Sequence, residues 1–330
     1  MKITEFSWFA LSAGLGASML VSCAGSQPPI GSPSASSQNS TIRSAGERFA
    51  PDSIRRGIYV SDVNAVLGYR ANNSANEPPI CSLAESYPGG IAADSDGNLI
   101  VTQSAQTVTV YKGPRMCGPQ LGSFSDPYGQ PVDAASIRAA TGTIVVANVF
   151  DASGPGSIAV CTLAGGCTKN LRGPSSEDMY EVAAVALADN GDCWASSTNS
   201  AGTAKLTYFK RCSGHGRTAT GYENTYYGGL DIDSQGHLLA ISAFDGKLYV
   251  YKGCAPACAL AAGPYALVGE AVYGHLNEKS TMFVASDFLN GQVNVYAYTP
   301  SSLTYLYHFN NGLSGSTDPT GATYNRRAKE

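Results

Sequence analysis

Two sets of residues in this 330-residue chain could do chemistry. The first is nine cysteines: Cys23, Cys81, Cys117, Cys161, Cys167, Cys193, Cys212, Cys254 and Cys258. Zinc sites want paired knuckles of closely spaced ligands. Only Cys254-Ala-Pro-Ala-Cys258 has that spacing, and no second knuckle accompanies it. With Cys23 set apart near the N-terminus, the other eight read as four disulfides in an exported chain. The second set bears oxygen. Glu181, Glu270 and Asp318 occupy one place in an internal repeat, and Asp62, Asn148 and Asp287 another. Carboxylates and an amide brought together from several repeats can hold a hard cation. Glu181, Glu270, Asn148 and Asp287 are the candidate ligands for one divalent ion, calcium or zinc.

Other chemistry finds no support in the motifs. Asp94-Ser-Asp-Gly-Asn98 begins like a calcium loop, but an EF-hand needs its glycine at position 6 and a glutamate at 12. Here the glycine is fourth, and the segment reads as a turn. There is no nucleophile elbow, H-E-x-x-H, P-loop or dinucleotide-binding glycine pattern. The four histidines, His215, His237, His275 and His308, are scattered and read as strand or surface residues. A net charge of −4 without a basic stripe argues against nucleic acid. No organic cofactor is expected.

The elements that must position these residues are short strands on a regular period. β-rich runs begin at Arg56, Gly97, Gly142, Gly191, Gly236 and Ser280, spaced 41, 45, 49, 45 and 44 residues apart. That is the length of a four-stranded propeller blade. Before a run lies an apolar segment ending in a turn, as in Gly90-Ile-Ala-Ala-Asp94 or Gly229-Leu-Asp-Ile-Asp233. After it lies an alternating run closing on an aromatic or a cysteine, such as Val108-Thr-Val-Tyr111, Ile158-Ala-Val-Cys161 or Leu248-Tyr-Val-Tyr251. Period-two alternation broken by Asp-Gly-type turns is a hairpin signature. Each blade therefore reads as strands a, b and c, with a weaker d. Charged residues are only 14%, glycines number 37, and 19 tyrosines exceed 10 phenylalanines, a composition that suits an all-β protein.

The first run has no strand a before it. The chain's end supplies one, since Asp318-Pro-Thr-Gly-Ala-Thr-Tyr-Asn325 resembles Tyr87-Pro-Gly-Gly-Ile-Ala-Ala-Asp94. The expected fold is all-β: a six-bladed β-propeller of four-stranded antiparallel blades. Its ring is closed by the C-terminal strand pairing with the first blade, which removes the open edge.

The N-terminus reads differently. Phe6 to Val21 is uncharged and apolar, too short for a comfortable bilayer span and suited to a signal-peptide core. It runs into Leu20-Val21-Ser22-Cys23, which resembles the lipobox of bacterial lipoproteins. The resemblance implies cleavage of residues 1–22 and lipidation of Cys23. Residues 23–53, rich in Ser and Pro, cannot bury enough apolar area to fold and should tether the propeller of residues 54–330. This implies a lipid-anchored extracytoplasmic protein of the cell envelope. Ala24 favours the outer membrane if the host has one.

The patterns Pro-x-Gly-Ile-Ala, Asp-Gly-Asn-Leu-Ile-Val and Val-x-Val-Tyr-Lys resemble six-bladed propellers of the NHL, YWTD and SMP-30 (gluconolactonase-like) group, over residues 57–325. Such folds host unrelated functions. In SMP-30-like enzymes a metal at the channel mouth activates hydrolysis of lactones and esters; the full ligand set of that family is not matched here. The repeat pairs the cysteines as Cys81–Cys117, Cys161–Cys167, Cys193–Cys212 and Cys254–Cys258 on the outer rim. Tyr87, Tyr180, Tyr226 and Tyr227 fall near the channel mouth and offer an aromatic surface. The leading functional expectation is a non-catalytic binding or scaffolding module. It would be monomeric, membrane-attached through its lipid, and would take a protein or glycan on one propeller face. The alternative is a metal-dependent lactonase or esterase.

Overall fold

The runs predicted as strand b become the most deeply buried strands of the molecule, and the remaining strands are organised around them. The structure, a computed structural model, describes residues 57–136, 142–152, 154–315 and 319–325, all within one unit, Phe49–Glu330. Residues 1–22, the tether with Cys23, and Asp318 lie outside the described residues.

Twenty-four strands form six antiparallel four-stranded sheets. Blade 1 contains β1 (Gly57–Asp62), β2 (Ala65–Arg70) and β3 (Cys81–Ala84). Blade 2 contains β4 (Pro88–Ala93), β5 (Leu99–Gln103), β6 (Thr107–Tyr111) and β7 (Gln120–Ser125). Blade 3 contains β8 (Gly129–Ser136), β9 (Ile144–Asp151), β10 (Ser157–Thr162) and β11 (Gly166–Leu171). Blade 4 contains β12 (Glu181–Leu187), β13 (Cys193–Thr198), β14 (Ala204–Phe209) and the two-residue β15 (Arg217–Thr218). Blade 5 contains β16 (Leu230–Ile232), β17 (Leu238–Ser242), β18 (Lys247–Lys252) and β19 (Ala259–Ala266). Blade 6 contains β20 (Ala271–Leu276), β21 (Met282–Asp287), β22 (Gln292–Thr299) and β23 (Ser302–Phe309). The last strand, β24 (Gly321–Tyr324), returns to β1 in the register Ile58↔Tyr324 and Val60↔Ala322. The predicted closure of the ring by the chain's end is therefore present.

Strand b of each blade is buried on both faces because neighbouring blades pack against it. β1, β5, β13 and β17 are buried throughout, so they read as continuous apolar or small runs and not as alternating ones. Six apolar clusters fill the wedges between successive blades. For example, Ile58, Tyr69, Val293 and Phe309 join blades 6 and 1, and Leu206, Trp194, Tyr249 and Tyr251 join blades 4 and 5. The d strands are more exposed, as in β7 and β23, which explains their weak sequence signal.

Strand a departs from ideal pairing near one end. The a–b register slips between Pro88 and Ile91, Val182 and Ala184, and Ala271 and Gly274. Bulges orphan backbone groups, which need other partners when buried. Hydroxyls on strand b supply them. Thr102 Oγ1 donates to the Gly90 carbonyl at 2.8 Å, and Ser286 Oγ donates to the Tyr273 carbonyl at 3.1 Å. Ser242 Oγ accepts from Tyr226 N at 3.0 Å.

At the other end the a–b turns repeat one device. Asp94 Oδ1 accepts the Asp96 and Asn98 N–H groups at 2.9 and 2.8 Å, and Asp94 Oδ2 accepts from the Asn98 side chain. Asp233 makes the same two backbone contacts to Gln235 and His237. Gly97 and Gly236 sit at φ of 79° and 81°, which side chains rarely adopt. These carboxylates close turns, as expected for Asp94.

Candidate functional site

The strand directions give the ring two distinct faces. The entry face carries the d–a connections and b–c turns. The turn face carries the a–b and c–d turns.

The predicted cation ligands all lie on the entry face, each in a different setting. Asp287 ends β21, fully buried. Its Oδ1 accepts Glu270 N at 3.1 Å and Asn290 N at 3.2 Å. Its Oδ2 accepts the side-chain amides of Asn290, Gln292 and Asn294 at 2.8, 3.1 and 3.1 Å. Five donors saturate the carboxylate, so it ties the b–c turn of blade 6 together and has no lone pair directed outward. Asn148 Nδ2 donates to Asp126 Oδ2 at 3.0 Å, while its Oδ1 is buried without a hydrogen-bond partner. Asp62 accepts from the Ser314 hydroxyl at 2.7 Å. Glu181, half-buried at the start of β12, accepts from the Tyr227 hydroxyl at 3.3 Å. Burial raises its carboxyl above the usual range, opposed by that hydrogen bond. Glu270 precedes β20 and is also half-buried.

Among the described residues, one group of three His, Cys, Asp or Glu side chains brings ligand atoms within 4.8 Å: Asp126, Cys161 and Cys167. Cys161 and Cys167 are bonded to each other, so they offer no thiolates. Glu181, Glu270 and Asp287 are not gathered into such a group. This donor set does not fit a hard cation, which needs six or more oxygen ligands around one point.

The entry face does gather apolar side chains. The tyrosines expected there are present: Tyr87 is 60% exposed, and Tyr180 and Tyr226 are each 39% exposed. Tyr227 is turned inward to Glu181. Sequence reasoning missed four more members of the surface: Phe150, Phe244, Val268 and Leu289. Together these seven belong to eleven exposed large hydrophobics among the described residues; the other four, Leu121, Leu260, Tyr305 and Leu306, lie on d strands. A signal for Phe244 and Leu289 was available, since both are large apolar residues in short b–c turns, where small polar residues dominate. Tyr226 and Phe244 meet edge to face at 5.5 Å between ring centres. Tyr87 and Phe244 also hold left-handed backbone, with φ of 49° and 64°.

Between the faces the channel is lined by ionisable groups that the sequence did not single out. Tyr273 of β20 reaches across β16 and donates to the Ala183 carbonyl of β12 at 2.9 Å. Asp133 of β8 is buried as well. Its Oδ2 accepts Val185 N at 3.1 Å and its Oδ1 has no hydrogen-bond partner. Burial pushes its carboxyl up to about 7, opposed by the charge of His275 and by backbone N–H groups. Asp231 Oδ2 accepts Leu276 N at 2.7 Å and lies 3.7 Å from His275 Nδ1. Alignment within a strand does not reveal such a group, because its members come from three blades.

The turn face holds all four disulfides, in the pairing expected from the repeat: Cys81–Cys117, Cys161–Cys167, Cys193–Cys212 and Cys254–Cys258. Three staple a single blade, and Cys81–Cys117 joins blade 1 to blade 2. Such a set belongs in an oxidising compartment outside the cytoplasm. Among the described residues no helix is long and apolar enough to cross a membrane.

No family model matches the chain, and no curated protein sequence matches it. Solved structures do. A functionally unknown protein from Desulfotomaculum acetoxidans is 13% identical, with a TM-score of 0.54 over 81% of this chain and 83% of that one. A chain of a nidogen/laminin complex is 12% identical, with a TM-score of 0.62 over 82% of this chain and 98% of that one. A chain of a mitotic checkpoint complex is 14% identical, with a TM-score of 0.53 over 80% of this chain and 78% of that one. At these identities the likeness concerns the fold.

Proposed function

We propose that the chain is a lipid-anchored propeller of the cell envelope that binds a protein partner through its entry face. One observation carries the reading: seven large apolar side chains from five blades stand exposed on that face, two of them on strained backbone. Left-handed backbone costs a bulky residue about 1–2 kcal/mol, and exposing Tyr87 and Phe244 recovers none of it by burial. Strain that folding does not reward is a pointer to function. Exposed aromatics are enriched where partners dock. Glu181 and Glu270 edge the same face, so the complementary surface is apolar with basic residues around it. The structural neighbours from a nidogen/laminin complex and a mitotic checkpoint complex agree with a protein partner. The anchor at Cys23, behind a signal peptide and a tether, rests on the lipobox-like run; palmitate labelling that persists in Cys23→Ala would remove it. A metal-dependent hydrolase of the SMP-30 type has less support, because Asp287 already has five hydrogen-bond donors.

The test uses a photo-crosslinking residue placed at Phe244 or, as control, at Tyr305 on an outer strand. The expected result is one protein adduct from Phe244 that disappears in Leu289→Asp and is absent from Tyr305. Equal adducts from both positions, insensitivity to Leu289→Asp, or an adduct with glycan alone would overturn the reading.

A further inference from the structure

Blade 3 carries a buried polar cluster that the docking surface does not use. Asn148 of β9 and Ser157 of β10 are both 0% exposed and stand directly opposite one another in the ladder. Asn170 of β11 pairs with Ala159, two residues on from Ser157. Because strand side chains alternate, all three leave the same face of the blade. That face is turned to blade 2, since Val146 and Ala159 on it pack with Ile100 and Val110. Opposite side chains lie about 5 Å apart at Cβ and diagonal neighbours about 7–8 Å, a spacing that one small ligand can bridge.

Each of the three has an oxygen left over. Asn148 Nδ2 donates to Asp126 Oδ2 at 3.0 Å, and Asn170 Nδ2 donates to Asp151 Oδ2. The two amides thus give their N–H groups to carboxylates, and both Oδ1 atoms are buried with no hydrogen-bond partner. Ser157 Oγ is buried without one too. Three orphaned oxygens on one face of a blade are costly unless something meets them. The carboxylates behind them are fixed. Asp126, fully buried, also accepts Tyr128 N at 2.9 Å. Burial raises its carboxyl above the usual range, those two hydrogen bonds oppose the rise, and the charge of Asp151 adds to it. Asp151 is bound by the more exposed Arg172, whose Nη2 stands 2.9 Å from Asp151 Oδ1. Two carboxylates against one guanidinium leave the cluster formally short of positive charge. The sulfurs beside Asp126 are bonded to each other, so the cluster offers oxygen and no thiolate.

We infer that this cluster holds one calcium ion, with Asn148 Oδ1, Ser157 Oγ, Asn170 Oδ1 and the Asp151 carboxylate as its protein ligands. Asp126 is a positioning residue that holds the Asn148 amide with its oxygen turned to the ion. Calcium takes about six to eight oxygens in flexible geometry, neutral amides and water among them. Magnesium keeps most of its water, and zinc prefers nitrogen and sulfur. Only Asn148 is shared with the four ligands expected from the repeat. The new set is assembled by strand pairing inside one blade and not across the channel mouth.

The experiment titrates calcium chloride and magnesium chloride, at matched ionic strength, into the purified chain after chelator treatment. Binding is read by calorimetry and by melting temperature. A site with few charged ligands should bind calcium with a Kd of about 0.1–1 mM. At about 10 mM calcium the melting temperature should rise by about 3–8 °C. Magnesium should bind at least about tenfold more weakly. Ser157→Ala removes a hydroxyl that has no partner in the protein, so in chelator its melting temperature should be unchanged or higher, yet its calcium affinity should fall at least about tenfold. Asn170→Asp should do the reverse: repulsion from Asp151 lowers the melting temperature in chelator, and the added charge strengthens calcium binding about tenfold. Absence of a calcium response, an equal response to magnesium, or an unchanged calcium affinity in Ser157→Ala would each overturn the inference. The first of these would leave the three oxygens to buried water.

Discussion

The two faces of the ring are built from different materials. Among the described residues every disulfide lies on the turn face, and seven of the eleven exposed large hydrophobics lie on the entry face. The turn face spends its cysteines on cross-strand staples and its aspartates on closing turns. The entry face bends strand a with bulges, patches the orphaned backbone with hydroxyls, and leaves aromatic rings in water. Under the docking function proposed above, this contrast is a division of labour: one end of the ring is fastened, and the other presents the binding surface.

The largest test of that division lies on the entry face itself. Asp287→Ala removes the acceptor of five donors: the backbone N–H groups of Glu270 and Asn290 and the side-chain amides of Asn290, Gln292 and Asn294. A loss of about 3–5 kcal/mol is expected in denaturant unfolding, since buried bonds to a charged group are among the costliest to remove. A variant that folds with wild-type stability would show that Asp287 is held in reserve for a ligand, and the contrast between faces would weaken. Next in size is the double variant Cys193→Ala with Cys212→Ala. That bridge spans 19 residues of sequence, and chain-entropy arguments give about 3 kcal/mol. Entry-face binding should survive the change at temperatures where the variant remains folded.

A smaller effect concerns the channel between the faces. Asp133 has its carboxyl raised to about 7 in the fold, so folding takes up a proton there. The folded state then holds more protons than the unfolded chain between pH 4 and 7, and stability falls as pH rises through that window. Asp133→Asn should flatten this part of the pH–stability curve by about 1 kcal/mol per pH unit. An unchanged slope would mean that Asp133 is ionised in the folded protein. The smallest effect is expected at Phe244→Gly. Relief of a positive φ should leave stability within about 1 kcal/mol of wild type, or raise it, while docking is lost. A marked loss of stability would assign the ring a packing role and blur the difference between the faces.

Much of the architecture was legible because a propeller repeats itself. Gly97, Gly142, Gly191 and Gly236 mark turns that only a positive φ allows, and the buried strand follows each of them. The return of residues near 321–324 to β1 was legible too, because the segment Asp318–Asn325 resembles Tyr87–Asp94, which holds strand a of blade 2. The site was less legible. Glu181, Glu270, Asn148 and Asp287 do share a face, but equivalence in the repeat says nothing about which hydrogen bonds each side chain already has. Phe244 and Leu289 were readable as anomalies of their turns, whereas Asp133, His275 and Tyr273 sit in strands without any local mark.

The sequence by itself determined the period, the blade count, the closing strand and the cysteine partners. Each of these follows from backbone propensities and spacings that act within one blade or between neighbours in the chain. Tertiary structure decided the rest: that Asp287 is saturated, that Tyr273 crosses the channel, and that aromatics from five blades share one face. Those facts depend on side chains meeting across the ring, where sequence distance carries no information about separation in space.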